Sequence, residues 1–261
     1  MLMDKIANEL QDTQAKVSIV LKDLTRNEWV VKVDENRRFT SASTIKVLIM
    51  IEALRQVQEG IFTLEQKVKV KEIDRVDFSI ITELDIDEYT FKDLITLMII
   101  TSDNTATNVL IDLLSYENIN HMADVLGLTN TVLKRKMMDF EAVKQGRQNE
   151  TSAIDMAILM EKIYYRSILT PPLCEIMLDI LLRQKHNDML PRYITEKVKA
   201  AHKPGELDKL NHDIGIFYLD NVHYILGVFV TDAQHNLEAK RIIGRISKLV
   251  YEHYVLDAIK S

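Results

Sequence analysis

The sequence predicts an α+β fold, in which an antiparallel sheet is covered by two terminal helices and carries an all-helical lobe. Three observations predict it. Strand-like alternation stands near both ends of the chain, a long stretch between them has the helical period, and amphipathic segments close each end. A sheet interrupted by a helical insertion must bury its faces against helices, which gives layers rather than a bundle.

Residues 4–12 (DKIANELQD) read as a short amphipathic helix. Two alternating runs follow, AKVSIVLKDL and EWVVKVD, joined by the polar turn TRN, and together they predict a hairpin. A helical period starts at Ser43 and runs to about residue 58, where Gly60 suits a helix C-terminus. Residues 90–188 then supply helix-length periodic segments: TFKDLITLMIIT, NTATNVLIDLLS, YENINHMADVLGL, SAIDMAILMEKIYYR and PPLCEIMLDILLRQ. Strand character returns in KVKAAHK, HDIGIFYL and VHYILGVFVT, before a last amphipathic helix expected from about Leu237 to Ala258. The expected division is a sandwich lobe of residues 1–36 and 192–261 and a helical lobe of residues 37–191. A cleft between lobes is where a ligand site is expected.

Composition narrows the function. The 261 residues, 47% of them hydrophobic, suffice for a sizeable core. The net charge of -6 is spread along the chain without a basic block, so neither nucleic acid nor an anionic membrane surface is an expected partner. No run of about 18 apolar residues predicts a membrane span. The start, MLMDKIANELQDTQAK, is charged throughout and lacks the apolar stretch of a secretory signal, so the chain as written is expected in the cytoplasm. The single Cys174 can form no internal disulfide and lies on the apolar face of a predicted helix, a structural position. The histidines, among them His121, His202, His212 and His235, show no metal-ligand spacing, and the few glycines form neither GxGxxG nor GxxxxGK[ST]. No metal and no cofactor is therefore expected.

The stretch FTSASTIKVLIMIEAL, residues 39–54, buries a lysine in apolar text and sets Ser43 three residues ahead of Lys46. On a helix those positions share a face, so hydroxyl and amine can touch. A serine hydroxyl is a poor nucleophile until something takes its proton. A lysine enclosed by Val47, Leu48 and Ile49 can lose its own proton, because desolvation disfavours the charged form. The helix start adds backbone N–H groups able to face a developing oxyanion. Ser-x-x-Lys alone arises often by chance, but two further motifs follow: Ser102-Asp103-Asn104 in TSDNTATN and Lys203-Pro204-Gly205 in HKPGEL. The order Ser-x-x-Lys, Ser-Asp-Asn, Lys-x-Gly is the signature set of the penicillin-recognising serine enzymes.

On these motifs the sequence resembles the class A β-lactamase-like family of serine hydrolases, related to penicillin-binding D-Ala-D-Ala peptidases, over nearly the whole chain. The resemblance implies a β-lactamase/transpeptidase-like fold and the opening of β-lactam rings through an acyl-enzyme on Ser43. It implies Lys46 as proton acceptor, Ser102 as proton relay to the departing amine and Asn104 as the holder of the substrate's amide side chain. Lys203 would supply positive charge opposite the substrate carboxylate. The oxyanion would lie between the N–H groups of Ser43 and of Glu206, the residue after Gly205. Asp103 is read as a cap that braces its loop. The implied partner is a small-molecule β-lactam or peptidoglycan-like substrate, and a monomer is expected.

Two departures from the family pattern bear on the chemistry. The third motif usually carries Thr or Ser where Pro204 stands, and proline, which offers neither hydroxyl nor N–H, is tolerated mainly on an edge strand. The second is deacylation, which in class A β-lactamases uses an Ω-loop glutamate followed by proline. In KRKMMDFEAVKQGRQNETS the nearest candidate is Glu141, with Asp139 and Glu150 as competitors, and no proline follows. An exposed surface residue is the plainer reading of Glu141. Without a placed base the acyl-enzyme persists, so a penicillin-binding peptidase or esterase, or a binding module without turnover, is the second functional class.

Overall fold

The computed structural model describes residues 1–260 and the side chains of residues 1–256; Ser261, the last residue assigned to the sandwich lobe, lies outside the described residues. The N-terminal helix α1 spans Leu2–Leu10, two residues earlier than its polar pattern indicated. The predicted hairpin forms β1 (Lys16–Asp23) and β2 (Glu28–Val33), and Asn27 in the turn takes φ 56°, a left-handed conformation asparagine tolerates. Two elements too short to show a period went unread, β3 (Phe39–Thr40) and its distant partner β6 (Glu150–Thr151). So did the pair β4 (Lys67–Lys69) and β5 (Glu88–Thr90).

Helix α2 (Lys46–Gln58) is apolar nearly all round because it is the axis of the helical region, with every residue from Lys46 to Leu54 buried. Around it pack α3 (Phe91–Ile100), α4 (Asn104–Leu114), α5 (Tyr116–Val125) and, after the short α6 (Phe140–Lys144) and the longer α7 (Ala153–Tyr164), α8 (Pro171–Leu182). Cys174 on α8 is free and fully buried, the structural position its sequence context indicated.

The chain then returns to the sheet as β7 (Lys199–Leu207), β8 (Leu210–Tyr218) and β9 (His223–Thr231) and closes with α9 (Asn236–Lys260). The sheet order is β2-β1-β9-β8-β7 and every pairing is antiparallel. Alternation gives each strand two apolar faces. Ile19, Leu21, Leu226 and Val228 face α1 and α9, which contribute Leu2, Ile6, Ile243, Ile246 and Val250. Val20, Ala201, Ile214, Ile216 and Phe229 turn the other way and join one core with the helical region. The terminal helices thus cover one face, as the sequence predicts, and β7 is left as an edge strand beside the helical region. No helix among the described residues is long and apolar enough to cross a membrane.

Candidate active site

Three segments meet at this edge: the 3-10 turn Ala42–Ile45, the junction of α3 and α4, and β7. The helix expected from Ser43 opens as that tight turn and becomes α-helical only at Lys46. It is entered through Ala42 at φ 45°, a left-handed conformation that costs a β-carbon residue about 1 kcal/mol and is found where a site is held to shape. Ser43, the second residue of this turn, is partly exposed. Gly205 makes the approach of β7 possible, since a Cβ there would lie 2.9 Å from the backbone N of Ser43 and 3.0 Å from Ala42 Cβ.

Lys46 is fully buried. Its Nζ donates to Ser102 O at 2.7 Å, Ser102 Oγ at 3.1 Å and Asn104 Oδ1 at 2.9 Å. The direct Lys46–Ser43 bond expected from the i, i+3 spacing is not among its hydrogen bonds. The reason is that Ser102 stands in a left-handed turn, φ 57°, which presents both its carbonyl and its hydroxyl to the lysine. Burial pushes the Lys46 ammonium well below its ordinary range, neighbouring Lys203 pushes the same way, and Asp103 opposes both. As a neutral amine it has a lone pair, and the Ser102 bond can then run from hydroxyl to nitrogen.

Lys203 closes the arrangement from β7. It is fully buried, donates to Ser102 Oγ at 3.1 Å and to Pro204 O at 2.7 Å, and is brought down to about 7 by burial, against the pull of Asp213. The Ser102 hydroxyl therefore sits between two lysine nitrogens of lowered basicity. Asp103 is a brace: it caps α4 through Ala106 N at 2.8 Å and accepts from Ser79 Oγ at 2.8 Å and Ile81 N at 3.1 Å. Asn104 donates to Asp77 O at 3.2 Å while its oxygen holds Lys46.

A cleft of about 870 Å³ opens over these groups. Ser43, Ser102, Asn104, Pro204, Gly205 and Glu206 line it, while Lys46 and Lys203 stand just behind its wall. The Glu206 carboxylate is turned to Asn236 Nδ2 and to Lys240 Nζ, both at 2.8 Å. Pro204 lies on the edge strand β7, the position in a sheet where proline is tolerated. The far wall was not anticipated from sequence: Met137, Met138 and Phe140 line it. Their only signal was an apolar cluster inside an otherwise polar loop. None of the three candidate carboxylates lines the cleft. Glu141 is 74% exposed and paired with Lys144, Asp139 caps α6 through Ala142 N, and Glu150 holds Lys134 at 2.7 Å. No group of His, Cys, Asp and Glu suited to a metal ion occurs among the described residues.

Such a site can deprotonate an alcohol and hand a proton to a departing group, and known proteins carry similar frameworks. The model of the beta-lactamase enzyme family matches residues 1–254. A beta-lactamase of Citrobacter koseri is 29% identical over 141 residues, 53% of this chain and 47% of that protein, so the match spans about half of each. The crystal structure of a beta-lactamase from Sphaerobacter thermophilus superposes with a TM-score of 0.90 at 25% identity, covering 98% of this chain and 97% of that one. The structure of PBP-A gives 0.88 at 27% identity, covering 97% and 95%, and a variant of it in an acyl-enzyme complex with penicillin G is equally similar.

Proposed function

The chain belongs to the beta-lactamase enzyme family, and from that premise we propose that it is a serine hydrolase acylated by β-lactams on Ser43 and slow to release the acyl group. The observation that carries this reading is the fully buried Lys46, stripped of its ordinary basicity beside Ser102 and Lys203. Neutral Lys46 takes the Ser43 proton, with Ser102 as intermediary, while Ser43 Oγ attacks the β-lactam carbonyl. The N–H groups of Ser43 and Glu206 face the oxyanion, for which the close approach of Gly205 to Ser43 is the supporting contact. Ser102 passes the proton to the departing nitrogen, Asn104 orients the acyl side chain, and Lys203 sets charge opposite the substrate carboxylate. The sandwich lobe (1–36, 192–261) and the helical lobe (37–191) are the two walls of this reading, and a single copy of the chain suffices for it.

A second reading, a penicillin-binding peptidase-like protein acting on a peptidoglycan-like substrate, is favoured by the absence of a carboxylate from residues 134–150 at the cleft. Deacylation needs a base of its own, and Met137, Met138 and Phe140 offer none. Intact-protein mass spectrometry with penicillin G over time tests both. An adduct that forms and lasts, and is lost in Ser43→Ala, supports slow turnover. Fast penicillin hydrolysis with no accumulating adduct points to an efficient β-lactamase, and labelling that survives in Ser43→Ala removes Ser43 from the mechanism.

A further inference from the structure

Three cations stand in a row where the far wall of the cleft begins, Lys134, Arg135 and Lys136. The outer two reach solvent and are paired, Lys134 with Glu150 and Lys136 with Asp112. Arg135 between them is turned inward, is 9% exposed and lines the cleft. Its backbone is fixed by Asn149, which accepts from Arg135 N and donates to Arg135 O, both at 3.0 Å. The guanidinium gives Nε to Gln148 Oε1 and Nη1 to Lys136 O, both at 3.0 Å. Among the described residues no group accepts from Nη2. Nor is Nη2 an enclosed orphan, as Arg192 Nε is, so it stands where another molecule can reach it.

Its charge sets this residue apart. Among the described residues four lysines and arginines are buried: Lys22, Lys46, Arg135 and Lys203. Lys22 is paired with Glu161 at 2.6 Å. Lys46 and Lys203 are made less basic by burial and can shed their protons. Arg135 has neither outlet. Burial lowers its guanidinium too, with Asp139 opposing, but a guanidinium keeps its proton at any working pH. Asp139 is committed to the cap of α6, and no described carboxylate is within ion-pair distance of Arg135. A charge taken out of water without a counter-ion is strongly unfavourable, so the missing anion is the part the protein does not supply.

We propose that Arg135 is the receptor for a carboxylate carried on an apolar acyl group of the substrate. The proposal rests on the cleft being the acylation site of the proposed function and adds a substrate class to it. Two of the five guanidinium N–H donors are committed, and a carboxylate can take two of the others in parallel. Met137, Met138 and Phe140 line the same wall, so the group that brings the anion is apolar where it meets them. This wall faces the one that holds Lys203. The carboxylate at Arg135 is therefore a second one, on the acyl half, and not the one opposite Lys203. Two other cations line the cleft, but Lys240 is held by Asp188 and Glu206, and Lys185 is exposed, where pairing gains little.

The first test needs no acylation, so its failure is distinct from failure of the proposed function. In the full chain labelled with ¹⁵N-arginine, phenylacetate should shift the side-chain Nε–H signal of Arg135, identified by its loss in Arg135→Gln. Phenylacetamide, the neutral isostere, should leave it in place. A signal that ignores phenylacetate, or answers both compounds alike, overturns the proposal. The second test puts the carboxylate on a substrate. In the Ser43→Ala protein, calorimetry compares penicillin G with the penicillin that carries one more carboxylate, on the carbon between the phenyl ring and the side-chain amide. The carboxylated compound should bind roughly tenfold more tightly. Adding Arg135→Gln should abolish that preference, and Arg135→Lys, which keeps the charge without the fork, should keep part of it. The readout is a ratio of two ligands in one protein, so a loss of stability in a variant does not imitate it. No preference for the carboxylated compound, or a preference that survives Arg135→Gln, overturns the proposal.

Discussion

The corner around Lys46 and the 134–150 segment form two walls of one cleft and are built in opposite ways. At the corner the polar groups are buried and turned inward, with two lysines, a serine and an asparagine joined by hydrogen bonds of 2.7 to 3.1 Å. In the 134–150 segment Met137, Met138 and Phe140 line the cleft beside the buried Arg135, while the carboxylates Asp139, Glu141 and Glu150 are not among its lining. The segment's backbone is held no less firmly. Asn108 takes Met137 N at 2.7 Å and gives to Met137 O at 3.1 Å, and Asn149 Oδ1 accepts from Lys134 N and Arg135 N. What the second wall lacks is a base, and rigidity alone does not supply one. Acylation and deacylation are separate steps with separate bases, so under the proposed function the contrast is between a furnished half-reaction and an unfurnished one.

The largest effect should come from breaking the furnished half. Lys46→Met keeps the length and the burial and removes the basic nitrogen, so penicillin acylation should slow by about 10² to 10⁴. Thermal unfolding should change little or improve, because a desolvated amine is exchanged for an apolar side chain. Stopped-flow acylation and a melting curve read the two. An acylation rate within a few-fold of the parent would mean that Lys46 is only a buried structural lysine.

The unfurnished half can be furnished. Met137 lines the cleft on a backbone fixed by Asn108, so Met137→Glu puts a carboxylate on the bare wall without moving the chain. The lifetime of the penicillin adduct should shorten by about 10², the lower end of what a general base contributes. Time-resolved intact mass reads it directly. An adduct as lasting as in the parent would show that this wall does not reach the ester, and the contrast between the walls would lose its meaning.

A smaller, pH-dependent effect tests Lys203. Under the proposed function Pro204 offers no hydroxyl to a substrate carboxylate, so recognition would lean on the Lys203 charge. Its ordinary value of 10.5 is brought to about 7, so the cation is present below that pH and lost above it. The half-saturating concentration of a carboxylate-bearing penicillin should rise through neutral pH by at most about tenfold per unit, with no such rise for a neutral ester. Titration of Lys46 acts on both substrates and cancels in their ratio. The same shift acts on folding. The unfolded chain binds the proton more tightly between about 7 and 10.5, so this group adds stability as pH rises through that window and is a full cost below it.

Much of this was legible in sequence because it rests on local pattern. The first two strands alternate, the last three read as apolar strand-like runs, the main helices have the 3.6-residue period, and three short motifs mark the corner. The direct Ser43–Lys46 hydrogen bond could not be judged from spacing, because Lys46 Nζ is drawn to Ser102 and Asn104, which lie more than fifty residues away in sequence. The pairing of Phe39–Thr40 with Glu150–Thr151 joins residues far apart in sequence over two positions, too few to show a period. The apolar far wall depends on which way residues 137 to 140 turn, and in an irregular loop no period reports direction. Asp139, Glu141 and Glu150 could be named as carboxylates, but the sequence carried no sign of the side they face.

The smallest expected effect separates the walls most cleanly. Glu141 is the residue that spacing alone would choose as the deacylating base, yet it is solvent-exposed and its carboxylate is paired with Lys144 at 2.6 Å, one turn along α6. An exposed i, i+3 pair of this kind contributes at most a few tenths of a kcal/mol. Glu141→Gln keeps size and removes basicity, so acylation rate, adduct lifetime and melting temperature should all stay within about twofold or a degree of the parent. The measurement is the adduct lifetime in the same time-resolved mass experiment, run beside Met137→Glu. If Glu141→Gln lengthens the lifetime several-fold, the segment must turn in solution to bring α6 over the ester, and residues 134–150 would then be a wall that moves during turnover. If it does nothing while Met137→Glu shortens the lifetime, position relative to the ester, and not the presence of a carboxylate in the loop, sets the rate of release.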